Sequence, residues 1–179
     1  AGAPHGRAGD EGLKARHDPD GNGVDDTYGL GVTGSPNVLT RNYGSLAGCF
    51  DAFGAHPTIW VEKDGELVYG GIQPECKEAL VKLQELYKKG CIDPEFGVMD
   101  SSKAGETAAA GKCGVTYGQQ WLPLVYFHSN YSLDNNALWT AYEPVSVSGD
   151  PAEVSAEVGV SRWLVVNKNF EHPEAVVKM

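Results

Sequence analysis

The chain has 179 residues, 41% hydrophobic and 21% charged, a balance that excludes a disordered, collagen-like or coiled-coil polypeptide and fits one globular domain or one lobe of something larger. Its 14 basic and 24 acidic side chains leave a net charge of −10, which repels phosphate backbones and excludes nucleic acid as an expected partner. No run reaches the ~18 apolar residues of a membrane helix; the best, Trp121 to Phe127, is short and contains Pro123.

Residues 1–17 are rich in Gly, Ala and charge and read as a loose terminus without the apolar core of a signal peptide. Next comes DPDGNGVDD, Asp18 to Asp26, followed by the strand-like TYGLGVTG from Thr27. Ser45 caps a short helix whose apolar positions Leu46, Cys49, Phe50 and Phe53 recur at helical steps, closed by Gly54. Thr58 to Glu62 and Glu66 to Gly70 form a hairpin, because the Asp64-Gly65 pair tolerates the positive φ values of a tight turn.

A helix is predicted from Pro74 to Lys89, with proline in its first turn, Lys88 and Lys89 in its last and Gly90 just past it. Its inward stripe is expected to be Cys76, Leu80, Leu83 and Tyr87, flanked by Ala79 and Leu86. A second helix spans Ser101 to Ala110, and a strand from Cys113 to Tyr117 follows Gly111. Ser129 to Glu157 is irregular; Arg162 to Val166 reads as a fully buried strand, and Pro173 opens a helix cut short at Met179. Cys49, Cys76, Cys91 and Cys113 show no zinc or redox spacing, and Cys76 and Cys91 would lie about 22 Å apart along one helix, so four buried thiols are expected.

The acidic segment carries the clearest chemistry. Calcium takes six to eight oxygens, and loops of the EF-hand type supply them from positions 1, 3, 5, 7 and 9 with glycine at 6. Asp18, Asp20, Asn22, the Val24 carbonyl and Asp26 match that spacing, with Gly23 at the turn. Position 12 is Gly29, so the loop is not an EF-hand proper, and a structural calcium is expected rather than a catalytic one. The alternative for the same residues is a plain acidic turn. Gly29, Gly31 and Gly34 also spell GxGxxG, but no strand precedes them and no helix context follows.

DPDGNGVDDTYGL, WVEKDGELVYGG, ECKEALVKLQELYKKGCIDPEF, GKCGVTYGQQW and RWLVVNKNFEHPEAVVKM, in that order, resemble the middle portion of bacterial extracellular solute-binding proteins of family 1, the large Gram-positive lipoprotein type. The resemblance covers residues 18–179 and implies one partial lobe of a two-lobed α/β protein, a periplasmic-binding-protein-like (type II) lobe with a mixed sheet flanked by helices. It implies a monomeric, non-enzymatic binder of a small solute such as an oligosaccharide, which hands its cargo to an ABC transporter permease. It further implies an extracellular lipoprotein whose anchor and signal peptide lie outside this chain. Some relatives carry a similar calcium loop with an acidic residue after its last Asp; here that residue is Thr27.

In that family the turn after such a helix–strand unit faces the ligand cleft, and here it holds Gly118, Gln119, Gln120 and Trp121. Amides hydrogen-bond hydroxyls while an indole covers the apolar face of a pyranose. Trp60 is a further ligand candidate, set against packing on its own sheet, and Trp139 and Tyr142 lie in the variable stretch where they could line a cleft. Two other classes remain: a glycoside-active enzyme, for which no carboxylate pair stands out, and a calcium-dependent carbohydrate-binding or scaffolding module of the dockerin sort, which would need a second loop that the sequence lacks.

Overall fold

The computed structural model of the chain describes residues 23–34, 36–155 and 163–178. Strand β1 (Tyr28–Gly31) and strand β4 (Cys113–Thr116) pair in parallel, Tyr28 opposite Cys113 and Gly31 opposite Thr116, and Ile92 adds a parallel bridge to Leu30. Parallel neighbours need a long crossover. Here it runs through helix α1 (Ala47–Asp51), the antiparallel hairpin β2 (Trp60–Lys63) and β3 (Glu66–Tyr69), helix α2 (Pro74–Lys88) and helix α3 (Ser101–Ala109). Helix α4 (His128–Leu133) follows a π-helical turn over Pro123–Phe127, and a four-residue helix α5 (Ala175–Lys178) lies near the end. The described residues are mixed α/β, with two small sheets and helices packed on them.

Alternation along β1 divides the core in two. Leu30 joins Phe50 of α1, Cys76, Ala79, Leu83 and Leu86 of α2, and Cys91 and Ile92 in one cluster. Gly31 points the other way, where an added Cβ would lie 3.1 Å from Cys113 Sγ and 3.4 Å from the Tyr43 hydroxyl. There Tyr43, Met99, Ala104, Ala108, Cys113, Leu122 and Phe127 form the second cluster. All four cysteines are thiols.

The local signals account for these elements. In the hairpin Asp64 and Gly65 take φ values of 55° and 82°, the pair of left-handed residues that suits the twist of the flanking strands. Pro74 stands in the first turn of α2 and Gly90 follows it at φ 71°. Asp100 caps α3 by accepting the Lys103 N–H at 2.8 Å. Ser45 accepts from the Ala47 N–H at 3.0 Å ahead of α1.

Two expectations are corrected. The buried face of α2 is Cys76, Ala79, Leu83 and Leu86, while Leu80 and Tyr87 are exposed; the residues expected to flank the stripe, Ala79 and Leu86, face the first core cluster instead. The apolar run around Trp163 to Val166 is no buried strand: residues 163–167 have no strand pairing, and Trp163, Leu164 and Val165 are exposed at 75%, 75% and 91%. A hydrophobic run becomes a strand only beside a partner edge, and none among the described residues pairs with it. Trp139 stacks on Phe127 with ring centroids 4.0 Å apart, and its indole N–H donates to Asn130 Oδ1 at 3.0 Å.

Candidate functional site

Residues 117–121 leave the C-terminal end of β4 and turn into the Pro123–Phe127 segment, and open α/β sheets bind ligands beyond the carboxyl ends of their strands. The base of this turn is rigid. The Tyr117 carbonyl accepts the Gly44 N–H at 3.0 Å, and its ring packs against Gly48, where a Cβ would stand 2.2 Å from the ring. Burial, and then the neighbouring Cys49, push the Tyr117 phenol well above its ordinary range. Leu122 is buried and its N–H returns to the Gln119 carbonyl at 3.1 Å.

On that base Gln119 and Gln120 are exposed and Trp121 is half-buried. The Trp121 indole N–H donates to Gln119 Oε1. Its ring lies 6.1 Å from that of Tyr126, which lies 4.6 Å from that of Tyr43. Tyr43 is wholly buried with its hydroxyl 3.7 Å from Cys113 Sγ. Desolvation first, and then Cys113, raise its phenol, and burial lifts the Cys113 thiol to about 11. A row of three rings thus leads from the core to one partly exposed indole flanked by two amides, an arrangement that can cover the apolar side of a sugar and bond its polar edge.

The structure therefore brings Gln119, Gln120 and Trp121 together, whereas Trp60 belongs to the separate hairpin. There it is 65% exposed, its ring 5.7 Å from that of Tyr69 in the opposing strand. Of the acidic loop, Asp18, Asp20 and Asn22 lie outside the described residues. Val24 is exposed; Asp26 holds Lys112 Nζ at 2.5 Å through Oδ2, while its Oδ1 is buried with no hydrogen-bond partner among the described residues. That free oxygen suits a cation ligand, although Lys112 already offsets part of the charge. Tyr142 is exposed.

Tyr43, Tyr126 and Gly105 form part of this site, and none was apparent from sequence. A Cβ at position 105 would stand 2.1 Å from Tyr126, so a glycine inside a helix, costly by about 1 kcal/mol, was the available signal. A second polar cluster also went unseen. Asp51, 2% exposed, accepts both Arg41 guanidinium nitrogens at 2.6 and 2.8 Å and has His56 Nδ1 at 3.6 Å, while Arg41 also donates to Ser155 at 2.7 Å. An aspartate on the apolar face of α1 announces such a partner, since a buried carboxylate requires one.

No family model matches the chain. It is similar to two curated proteins of Bacillus subtilis (strain 168). One is lipoprotein LipO, 36% identical over 98 residues, which covers 55% of this chain and 19% of that protein. The other is the polygalacturonan/rhamnogalacturonan-binding protein YtcQ, 29% identical over 104 residues, 56% of this chain and 19% of that protein. The chain thus matches about a fifth of the length of either relative, and their names describe a lipoprotein and a polysaccharide binder rather than an enzyme.

Proposed function

We propose that this chain is part of one lobe, of the periplasmic-binding-protein-like type II class, in an extracellular lipoprotein of solute-binding family 1. That protein captures an oligosaccharide and passes it to an ABC transporter permease without cleaving it. The observation that carries this reading is the turn after β4, where the half-buried Trp121 stands between exposed amides on a base of packed tyrosines. The name of YtcQ supports an acidic, pectin-like sugar as cargo. Trp121 stacks on a pyranose ring, Gln119 and Gln120 bond its edge, and Trp60 offers an outlying aromatic face to a longer chain.

The complete polypeptide, titrated in a calorimeter with oligogalacturonates, is expected to release heat and leave the sugar intact by reducing-end assay. Absence of heat with every such sugar would overturn the reading, and release of new reducing ends would return the enzyme alternative.

Asp18, Asp20, Asn22, the Val24 carbonyl and Asp26 hold a structural calcium in the same proposal, supported by the buried free oxygen of Asp26. Calcium supplies charge and crosslinking there, tying the loop to β1.

A further inference from the structure

An indole nitrogen carries a proton and accepts nothing, so the atom of Gln119 that faces Trp121 must be its oxygen. That single contact fixes which way the amide points. The Gln119 Nε2 is thereby turned away from the indole with its two N–H groups, and Trp121 has spent its only donor inside the protein. No backbone–backbone hydrogen bond among the described residues takes the N–H of Gly118, Gln119, Gln120 or Trp121. The exposed rim of the turn therefore presents the Gln119 N–H groups beside the Gln120 amide, while the indole contributes an apolar face held against Tyr126.

Resting on the carbohydrate reading above, we propose that Gln119 is a specificity-determining residue. Held by Trp121 through its oxygen, it turns both N–H groups outward, so the site favours a sugar whose edge accepts two hydrogen bonds, the carboxylate of a uronate, over the corresponding ester. A hydroxyl serves as donor or acceptor and gains little from such an edge. A carboxylate accepts only, and charge makes its hydrogen bonds roughly twice as strong as neutral ones. The apolar side of the same ring lies on Trp121, so stacking and edge recognition are coupled through one side-chain contact. Gln119 is thus also a positioning residue for the indole.

The test uses the complete polypeptide with 15N-labelled tryptophan and two probes, trigalacturonate and its methyl ester. The Trp121 indole signal, assigned by its loss in Trp121→Phe, is expected to keep its hydrogen-bonded position in Gln119→Glu, which retains the acceptor, and to move upfield in Gln119→Met, which does not. In the wild type trigalacturonate is expected to bind at least fivefold more tightly than its ester. Gln119→Glu, which replaces donors with a like charge, should abolish or reverse that preference. An indole signal unmoved by Gln119→Met overturns the lock. A carboxylate preference that persists in Gln119→Glu overturns the specificity role while leaving carbohydrate binding intact. Failure of the wild type to bind either probe overturns both the inference and the pectin-like cargo.

Discussion

Asp51 shows most plainly how a single residue is explained by its partners. Its carboxylate is buried and doubly bonded by Arg41, which in turn reaches Ser155, more than a hundred positions away in the chain. Asp51→Ala is expected to lower stability by about 2 kcal/mol in urea melts, less than the ~3–5 kcal/mol of a fully enclosed pair because Arg41 keeps some contact with water. The thiols give a pH signature. Burial raises Cys49 and Cys113 from 9.0 to about 11 in the folded chain. The unfolded chain therefore loses these protons first, so stability is full below pH 9 and falls as pH rises towards 11. Denaturant midpoints measured from pH 8 to 11 should show this decline, and Cys49→Ser with Cys113→Ser should lessen it between pH 9 and 10, the raised Tyr43 and Tyr117 phenols keeping their own share of the fall above pH 10. Native protein should also react slowly with a thiol reagent at pH 8 and yield four thiols once unfolded.

Elements whose signals are local were legible in sequence. The hairpin followed from Asp64-Gly65 and α2 from its proline, lysines and glycine, because turn chemistry and end effects act within a few residues. The face of α2 and the fate of Trp163 to Val166 were misjudged, since both depend on what lies opposite, which no periodicity reports. The π-helical turn over Pro123–Phe127 was missed for a related reason: its residues are apolar on several sides, and its path is set by Leu122 and Phe127 entering the second core cluster. Gln119, Gln120 and Trp121 were readable as residue types with suitable chemistry, but the ring row beneath them was not, as Tyr43 and Gly105 come from distant parts of the chain. That row makes a sign reversal testable. Gly to Ala inside a helix ordinarily stabilises by about 1 kcal/mol, yet Gly105→Ala should destabilise, because its Cβ would land on Tyr126. Thermal melts of Gly105→Ala, Tyr126→Ala and the double variant should show the glycine substitution to be harmless once the ring is gone.

At the scale of the whole molecule, the described residues combine a parallel pair of strands with helices on both faces and place one solvent-facing aromatic at the strand ends. The chain matches about a fifth of the length of two longer bacterial proteins. If calcium ties the acidic loop to β1, saturating calcium should raise the melting temperature by mass action on the folded state, and Asp20→Ala should remove that increment. Equal melting in calcium and in chelator would leave a plain acidic turn. A ligand held between two lobes has most of its surface covered, about 70 to 90% in typical pockets, so the 179-residue chain by itself should bind sugar weakly.

The central claim is that Trp121 is the aromatic floor of a carbohydrate site, and calorimetric titration of trigalacturonate into the complete polypeptide and its Trp121→Ala variant tests it most directly. Loss of one stacked ring should weaken binding by about 1 kcal/mol or more, a fivefold or larger rise in Kd. An unchanged Kd in a variant that melts like the wild type would contradict it.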